Sequence, residues 1–286
     1  MICVLGATGQ VGLSVVRQLS AHGRQLRAVT RSADNAAKLQ LLGVEVIVGD
    51  LDSETDRPRI LDGVSQLFLS TPNEQNQLDL QNKIVDAAVK ARVGAIVKLS
   101  VFTAEEDELC HFSRLHWANE KHIEGAGIPY TFLHPNTFMQ SLGLLFGHEI
   151  RTNGTMSSAV GRDKTITMVD VRDVSDVAAT VLMKGEHKGE TLLITGPTAM
   201  SYSECATFIS ERIGKPIEYR QITERESILQ LLRAGVSDWM MEGIKDLYRM
   251  YDRNDLNPLS NVTQEWTGHA PRSFSDFLDD YTHLFA

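Results

Sequence analysis

Gly6-Ala7-Thr8-Gly9-Gln10-Val11-Gly12 follows a short apolar run, Ile2-Cys3-Val4-Leu5, and leads into a helical pattern of Val11, Val15, Val16 and Leu19. The order strand, tight turn, helix decides the fold. Glycines at such a turn let the backbone come close to a phosphate, because no Cβ stands in the way. The helix that begins there presents unpaired N–H groups and the positive end of its dipole to the same spot. A pyrophosphate is the group such a turn suits. A βα turn with no ligand would use glycines too, but strand, glycines and helix agree here, which is the context the motif requires.

Beyond the turn, strands and helices alternate, the pattern of a parallel sheet. Apolar runs predict strands over 25–31, 44–49, 66–71, 95–101 and 130–134. Helices are expected over 33–42, 54–61, 77–91 and 111–125, the second of them interrupted by Pro58. Ser32 or Asp34 can cap the helix at 33. Leu80, Ile84, Val85 and Ala88 share one face of 77–91. After Pro135 the rhythm changes. A helix is expected over 137–150, a turn at Asn153-Gly154, and a helix through Val177, Ala178, Val181 and Leu182 with Asp170 and Asp173 as cap and turn residues. A strand at 191–195 and helices at 203–213, 224–234, 237–251 and 274–284 follow. The fold class is α/β: a doubly wound parallel-sheet Rossmann fold with a smaller, mainly helical C-terminal lobe. Residues 1–135, with 169–196 returning to them, form the dinucleotide-binding domain. Residues 136–168 and 197–286 form the substrate-binding lobe.

In this plan the ligand crevice lies at the carboxyl ends of the strands. That nominates Gly6, Thr8, Gly9, Gln10, Val11 and Gly12, then Arg31, Asp50, Leu51, Ser70, Thr71, Pro72, Ser100, Pro135 and Asn136 as cofactor-binding residues. NAD sites put a carboxylate at the end of the second strand to hold the ribose 2′-hydroxyl. Here that place reads Thr30-Arg31-Ser32. An arginine would pair with a 2′-phosphate through its planar fork, and no carboxylate is there to repel it. NADP(H) is therefore expected over NAD(H). Lys38, one turn into the next helix, reads as an ordinary exposed lysine rather than a second cation.

The chain has 286 residues, 42% hydrophobic and 23% charged, with a net charge of −9. The size suits one large α/β domain with an appendage. An acidic balance argues against nucleic acid or an anionic membrane as the partner. Cys3, Cys110 and Cys205 are scattered, which suggests a reducing compartment. Met1 leads straight into the first strand, leaving no signal peptide to be expected. No apolar run reaches membrane-spanning length. The expected protein is cytoplasmic, acts on a small molecule, and is compatible with a homodimer.

Several stretches together resemble the NmrA-like branch of the atypical short-chain dehydrogenase/reductases. They are the glycine loop, Ala28-Val29-Thr30-Arg31, Gly49-Asp50-Leu51, Val97-Lys98-Leu99-Ser100, Pro135-Asn136-Thr137-Phe138-Met139, Val169-Asp170-Val171-Arg172-Asp173 and Pro271-Arg272-Ser273-Phe274. The resemblance implies an NADPH-dependent reductase of quinones or dyes. It equally implies the family's redox-sensing regulators, which bind the dinucleotide without known turnover. It places Asp50 near the adenine, though the residue can also cap its turn, and puts Thr71-Pro72 beside the nicotinamide ribose. Ser100 falls where related enzymes have a substrate-facing serine. Phe138 and Met139 are expected to face nicotinamide or substrate.

The Tyr-x-x-x-Lys pair of familiar short-chain dehydrogenases is missing. Four residues before Lys121 stands Trp117, which cannot pass a proton. The same helix carries His116 and Glu120, one turn apart and hence on one face. The placement resembles the His-x-x-x-Glu of dye and quinone reductase relatives, so this pair is the catalytic candidate, against the alternative of a helix-surface ion pair. A conjugated acceptor that spreads charge asks less of an acid, and the protein then mainly holds two rings face to face. His111, His116 and His122 do not share a helical face, so no metal is expected. No Gly-x-Ser-x-Gly elbow occurs, which excludes the hydrolase reading. Trp239, Met240, Tyr248 and Met250 read as lobe core. Two functions remain: a reductase, or a catalytically silent NADP(H) sensor acting through protein partners.

Overall fold

The computed structural model describes residues 1–106, 109–253 and 256–286. The first half alternates without a break: β1 (Ile2–Val4), α1 (Gln10–Ala21), β2 (Leu26–Thr30), α2 (Ala33–Gln40), β3 (Glu45–Val48), α3 (Asp56–Leu61), β4 (Gln66–Leu69), α4 (Gln77–Lys90), β5 (Ala95–Leu99), α5 (His111–Gly125) and β6 (Tyr130–Pro135). The second half contains α6 (Ser141–Asn153), β7 (Thr155–Ser158), β8 (Thr165–Ile166), α7 (Val171–Lys184), β9 (Glu190–Ile194) and β10 (Met200–Ser201). It ends with α8 (Tyr202–Ile213), β11 (Glu218–Gln221), α9 (Glu224–Arg233), α10 (Asp238–Asp252), α11 (Val262–Thr267) and α12 (Phe274–Tyr281).

Seven strands form one sheet in the order β3-β2-β1-β4-β5-β6-β9, every neighbouring pair parallel. This is the expected Rossmann-like α/β plan. The strand order reverses between β1 and β4, and such a switch point opens a crevice at the strands' carboxyl ends. Strands covered on both faces read as near-continuous apolar runs, as β1 and β4 do. On one face, Val15, Val16 and Leu19 of α1 and Val174, Val177, Val181 and Leu182 of α7 bury against β1, β2 and β9. Each such side chain contributes about 1.5–3 kcal/mol. On the other, Ile60 and Leu61 of α3, Ile84, Val85 and Ala88 of α4 and Ile123 of α5 pack on the same strands' opposite side. Leu80 is only half-buried. A third cluster gathers α6, α8, α10 and α12 with β7, β8, β10 and β11, and takes in Cys110 and Phe112 at the start of α5.

The structure departs from the sequence reading in several places. Pro58 lies in the first turn of α3 and does not interrupt it. A proline is tolerated there because its missing N–H would have had no intrahelical acceptor. The helix expected at 137–150 starts at Ser141, because residues 136–139 are held extended by Phe138 bridging Val169 in parallel. It runs on to Asn153, and Gly154 ends it at φ +65°. Pro135 closes β6 as its last residue instead of stopping it one earlier. The short strands β7, β8, β10 and β11 and the helix α11 were not anticipated. Asp170 caps α7 by accepting from the Arg172 N–H, as expected, while Asp173 is bound by the Arg272 main-chain N–H at 2.8 Å and by its guanidinium. No helix among the described residues is long and apolar enough to cross a membrane.

The glycines of the opening loop do different work. A Cβ at Gly12 would meet the Gly6 carbonyl oxygen at 2.2 Å, and one at Gly6, which sits at φ +66°, would meet the Ser70 carbonyl at 2.8 Å. Gly12→Ala is therefore expected to destabilise the fold by about 1–3 kcal/mol, as overpacking does. Gly9→Ala, whose Cβ would meet only Gly6 O at 3.3 Å, should be much milder. Urea unfolding of both variants checks the order.

Candidate active site

The loop between β1 and α1 turns at Gly6 and is closed by the Gly9 N–H donating to the Gly6 carbonyl at 2.9 Å. Gly9 and its neighbours Thr8 and Gln10 are exposed, with Val11 and Gly12 buried beneath them. Among the described residues, the amides of Gln10, Val11 and Gly12 have no main-chain acceptor, as expected for the first turn of a helix. An anion is the partner that such a cradle lacks.

Beside the loop lies a cavity of about 280 Å³ lined by Gly6, Thr8, Thr30, Arg31, Ser32, Asn35, Gly49, Asp50, Leu51, Ser70, Thr71, Pro72 and Glu74, among others. The sequence nominated most of these. Arg31 is exposed at the rim, and no side-chain bond engages it among the described residues. Ser32 caps α2 by accepting from the Asn35 N–H at 3.3 Å, which brings Asn35 to the cavity. Lys38 is not part of the lining. Asp50 caps its own turn, its carboxylate accepting from the Asp52 N–H at 3.0 Å, while also facing the cavity.

Other nominated residues lie elsewhere. Asn136 is buried, its amide nitrogen donating to Thr167 Oγ1 at 2.8 Å and to the Leu256 carbonyl at 3.0 Å. Its side chain thus ties β6 to the lobe. Pro135 pairs with Ile194 in the sheet. Phe138 is half-buried against the α1–α7 face, whereas Met139 is buried in the lobe cluster. Trp239, Met240, Tyr248 and Met250 all pack in or against that cluster, as expected.

His116, Glu120 and Ser100 meet in a buried polar network that the sequence reading recognised only in pieces. Lys98, on the same side of β5 as Ser100, is fully buried. Its Nζ donates to His116 Nδ1 at 2.8 Å and to Ser100 Oγ at 3.3 Å. The Ser100 hydroxyl donates in turn to Glu120 Oε1, which also accepts from His134 Nε2 at 2.8 Å. At the other edge of the imidazole, His116 Nε2 lies 3.4 Å from the Gln77 amide nitrogen. Gln77 Oε1 is buried without a partner. Amide orientation is fixed by such networks, and turning this one over gives the Nε2–H an acceptor. Thr71, on the cavity wall, accepts from Gln81 of the same helix at 2.8 Å. So α4 connects the cavity to the network.

Burial pushes the Lys98 ammonium down to about 7, against the pull of the Glu120 carboxylate. Burial, with the charges of Lys98 and His134, holds His116 well below its ordinary range. A neutral imidazole that accepts at Nδ1 carries its hydrogen on Nε2. Lys98 was missed as a member of this network, although a lysine inside the apolar run Ala95-Ile96-Val97-Lys98-Leu99 was a legible anomaly. Lys121 is paired with Glu124 at 2.8 Å on the outer surface, away from this network.

The three neighbouring histidines face three ways: His111 toward Asp246, His116 toward Lys98 and His122 toward Asp86. Among the described residues, Asp173, Asp176 and His269 form the one grouping with metal-like spacing, and the Arg272 guanidinium already holds both carboxylates. A second cavity of about 570 Å³ opens between Gln221, Glu224, Tyr248 and Asp252. No residue of the glycine loop or of the buried network lines it; the glycine loop lines the smaller cavity through Gly6 and Thr8.

Against known proteins, the model of the NmrA-like family matches residues 1–278. The NAD(P)H azoreductase of Xenophilus azovorans is 29% identical, covering 100% of this chain and 99% of its own. Quinone oxidoreductase 2 of Escherichia coli is 25% identical over 100% of this chain and 99% of its own. Its solved NADPH complex superposes with a TM-score of 0.89, each chain covered completely. The Citrobacter sp. triphenylmethane reductase, solved with NADP(H), superposes at 0.86 with 25% identity, covering 97% of this chain and 99% of that one.

Lys98 also makes an activity-independent prediction. Between about pH 7, where the folded protein releases this proton, and 10.5, where the free side chain does, the unfolded chain binds more protons. Stability from this group therefore rises with pH across that window. Lys98→Met should lack the rise, so its stability relative to the parent should decline from pH 7 to 9 in denaturant titrations.

Proposed function

The chain belongs to the NmrA-like family, and from that premise we propose that it is an NADPH-dependent reductase of small conjugated acceptors such as quinones and azo or triphenylmethane dyes. The carrying observation is the unengaged Arg31 on the rim of a cavity whose other wall is the glycine loop. The residues present suit the dinucleotide. Free amides of Gln10, Val11 and Gly12 await a pyrophosphate, Gly9 leaves room for it, and Arg31 with Ser32 and Asn35 can hold a 2′-phosphate. Bound NADPH would supply the hydride. The relatives' activities, those of an azoreductase, a quinone oxidoreductase and a triphenylmethane reductase, support this acceptor class.

In this reading residues 1–135 with 169–196 bind the dinucleotide, and 136–168 with 197–286 close over the acceptor. The separate lobe cluster supports the division. His116 and Glu120 are the catalytic pair, with Phe138 offered toward the acceptor from its half-buried place against α1 and α7, and Met139 set in the lobe core. Acceptors of this class have conjugation that takes up charge, so the absent Tyr–Lys pair is no obstacle. Three buried, unpaired cysteines suit a cytoplasmic protein, working on a small molecule as a monomer or homodimer.

NADPH oxidation against a panel of quinones and dyes tests the reading; tight NADPH binding with no turnover on any acceptor would turn it into a sensor. Arg31→Ala should weaken NADPH about 10- to 100-fold, the loss expected for charged hydrogen bonds, and leave NADH nearly unchanged. Fluorescence titration with both cofactors measures this.

A further inference from the structure

We propose that Lys98 is the proton store of this site: its ammonium recharges His116 at Nδ1 while His116 gives its Nε2 hydrogen to the reduced acceptor. The inference rests on the reductase reading and assigns a role to a residue outside the His116–Glu120 pair.

The hydrogen-bond directions support it while Lys98 is charged. An ammonium has donors only, so the 2.8 Å contact makes Nδ1 an acceptor and leaves the imidazole hydrogen on Nε2. Among the described residues, the hydrogen-bond partner at that edge of the ring is the Gln77 amide, at a loose 3.4 Å, near the start of α4. The chain leading into α4 supplies Thr71, Pro72 and Glu74 to the cavity wall. The Gln77 amide thus stands between Nε2 and the chain that lines the cavity wall, while Nδ1 faces the store. Ser100, accepting from Lys98 and donating to Glu120, links the ammonium to its counter-charge. His134 holds that carboxylate from β6.

The step balances. Hydride addition to a quinone leaves a hydroquinone monoanion. The Nε2–H bond of His116 breaks as an O–H bond forms on that oxygen. One N–H bond of Lys98 breaks as Nδ1–H forms, leaving Lys98 as the amine. After product leaves, a proton from water enters at Nε2, and the Nδ1 hydrogen returns to Lys98. A triphenylmethane cation differs, because hydride alone yields the neutral product and no proton is required. The groups that can tune the store are few. His116 and Glu120 face it from α5 and His134 lies behind Glu120 on β6, whereas α4 presents the neutral Gln77 and Gln81, and β4 the apolar Phe68 and Leu69. The charged Asp79, Lys83 and Asp86 of α4 are engaged with other partners.

The test compares a 1,4-naphthoquinone with a cationic triphenylmethane dye at saturating NADPH, in the parent, Lys98→Met and Lys98→Gln. Glutamine keeps an N–H donor for Nδ1 but cannot release a proton, and serves if the methionine variant fails to fold. The quinone-to-dye ratio of kcat should drop by about a hundredfold in both variants, the lower reach of general acid catalysis. The parent's quinone kcat should fall as pH rises through about 7, and the variants' should stay low and flat. In the parent without cofactor, histidine 15N NMR at pH 6 should show His116 bearing its hydrogen on Nε2. An unchanged ratio, a hydrogen on Nδ1, or turnover of the dye but not the quinone would overturn the proton store. Turnover of neither acceptor, with the Nε2 tautomer in place, would instead sink the reductase reading.

Discussion

The first turn of α1 lies so close to the Gly6 carbonyl that no side chain fits at Gly12. That approach sets the angle at which α1 leaves the sheet. It lets Val15, Val16 and Leu19 reach β1 and β2, and it aims the helix's unpaired amides over the strand ends. Because β1 stands beside the point where strand order reverses, the same turn also floors the crevice. The loop is therefore constrained unevenly: Gly12 must be small for the interior, whereas the exposed Gly9 has room for a Cβ with only a close contact to Gly6 O.

A second constraint lies on β5, where Lys98 is fully buried beside α5. A lone ammonium in such a place is costly, and burial is tolerated where hydrogen bonds and a counter-charge accompany it. The seam between α4 and α5 meets that demand with His116, Ser100 and, through Ser100, Glu120. The same seam is apolar further from the crevice, at Ile84, Val85, Ala88 and Ile123. Stability is concentrated in the apolar half, and the polar half keeps an ionisable group whose charge is held only weakly.

The sheet was legible because strands buried on both faces leave continuous apolar runs, and helices between them show a 3.6-residue period. The lining of the cavity beside the glycine loop was legible too, since fold rules place a crevice at strand ends. The lobe was not. β8 and β10 are two residues each, too short to show any period, and β7 and β11 are polar segments whose pairing is fixed by contacts far apart in sequence. The network was half legible. His116 and Glu120 share a helical face, but Lys98, Ser100 and His134 come from two strands, and only the register of β5 against β6 brings them to α5. Asn136 shows the converse limit: its position at a strand end suggested a ligand contact, but which groups a buried amide meets depends on the loops folded over it.

The missing Tyr–Lys pair and the buried lysine fit together. An alcohol oxygen formed from a ketone is strongly basic, and a site for it needs an acid placed against it throughout the reaction. A hydroquinone anion is a phenolate, and a phenol has a pKa of about 10. An ammonium brought down to about 7 can protonate such an oxygen downhill through one imidazole. The acid need not touch the acceptor, so the wall that faces it need carry no proton donor of its own. An acceptor that needs no proton, such as a carbocationic dye, can then use the same surface without engaging the store. One buried charge, held back from the crevice, would let one pocket serve acceptors whose proton demands differ.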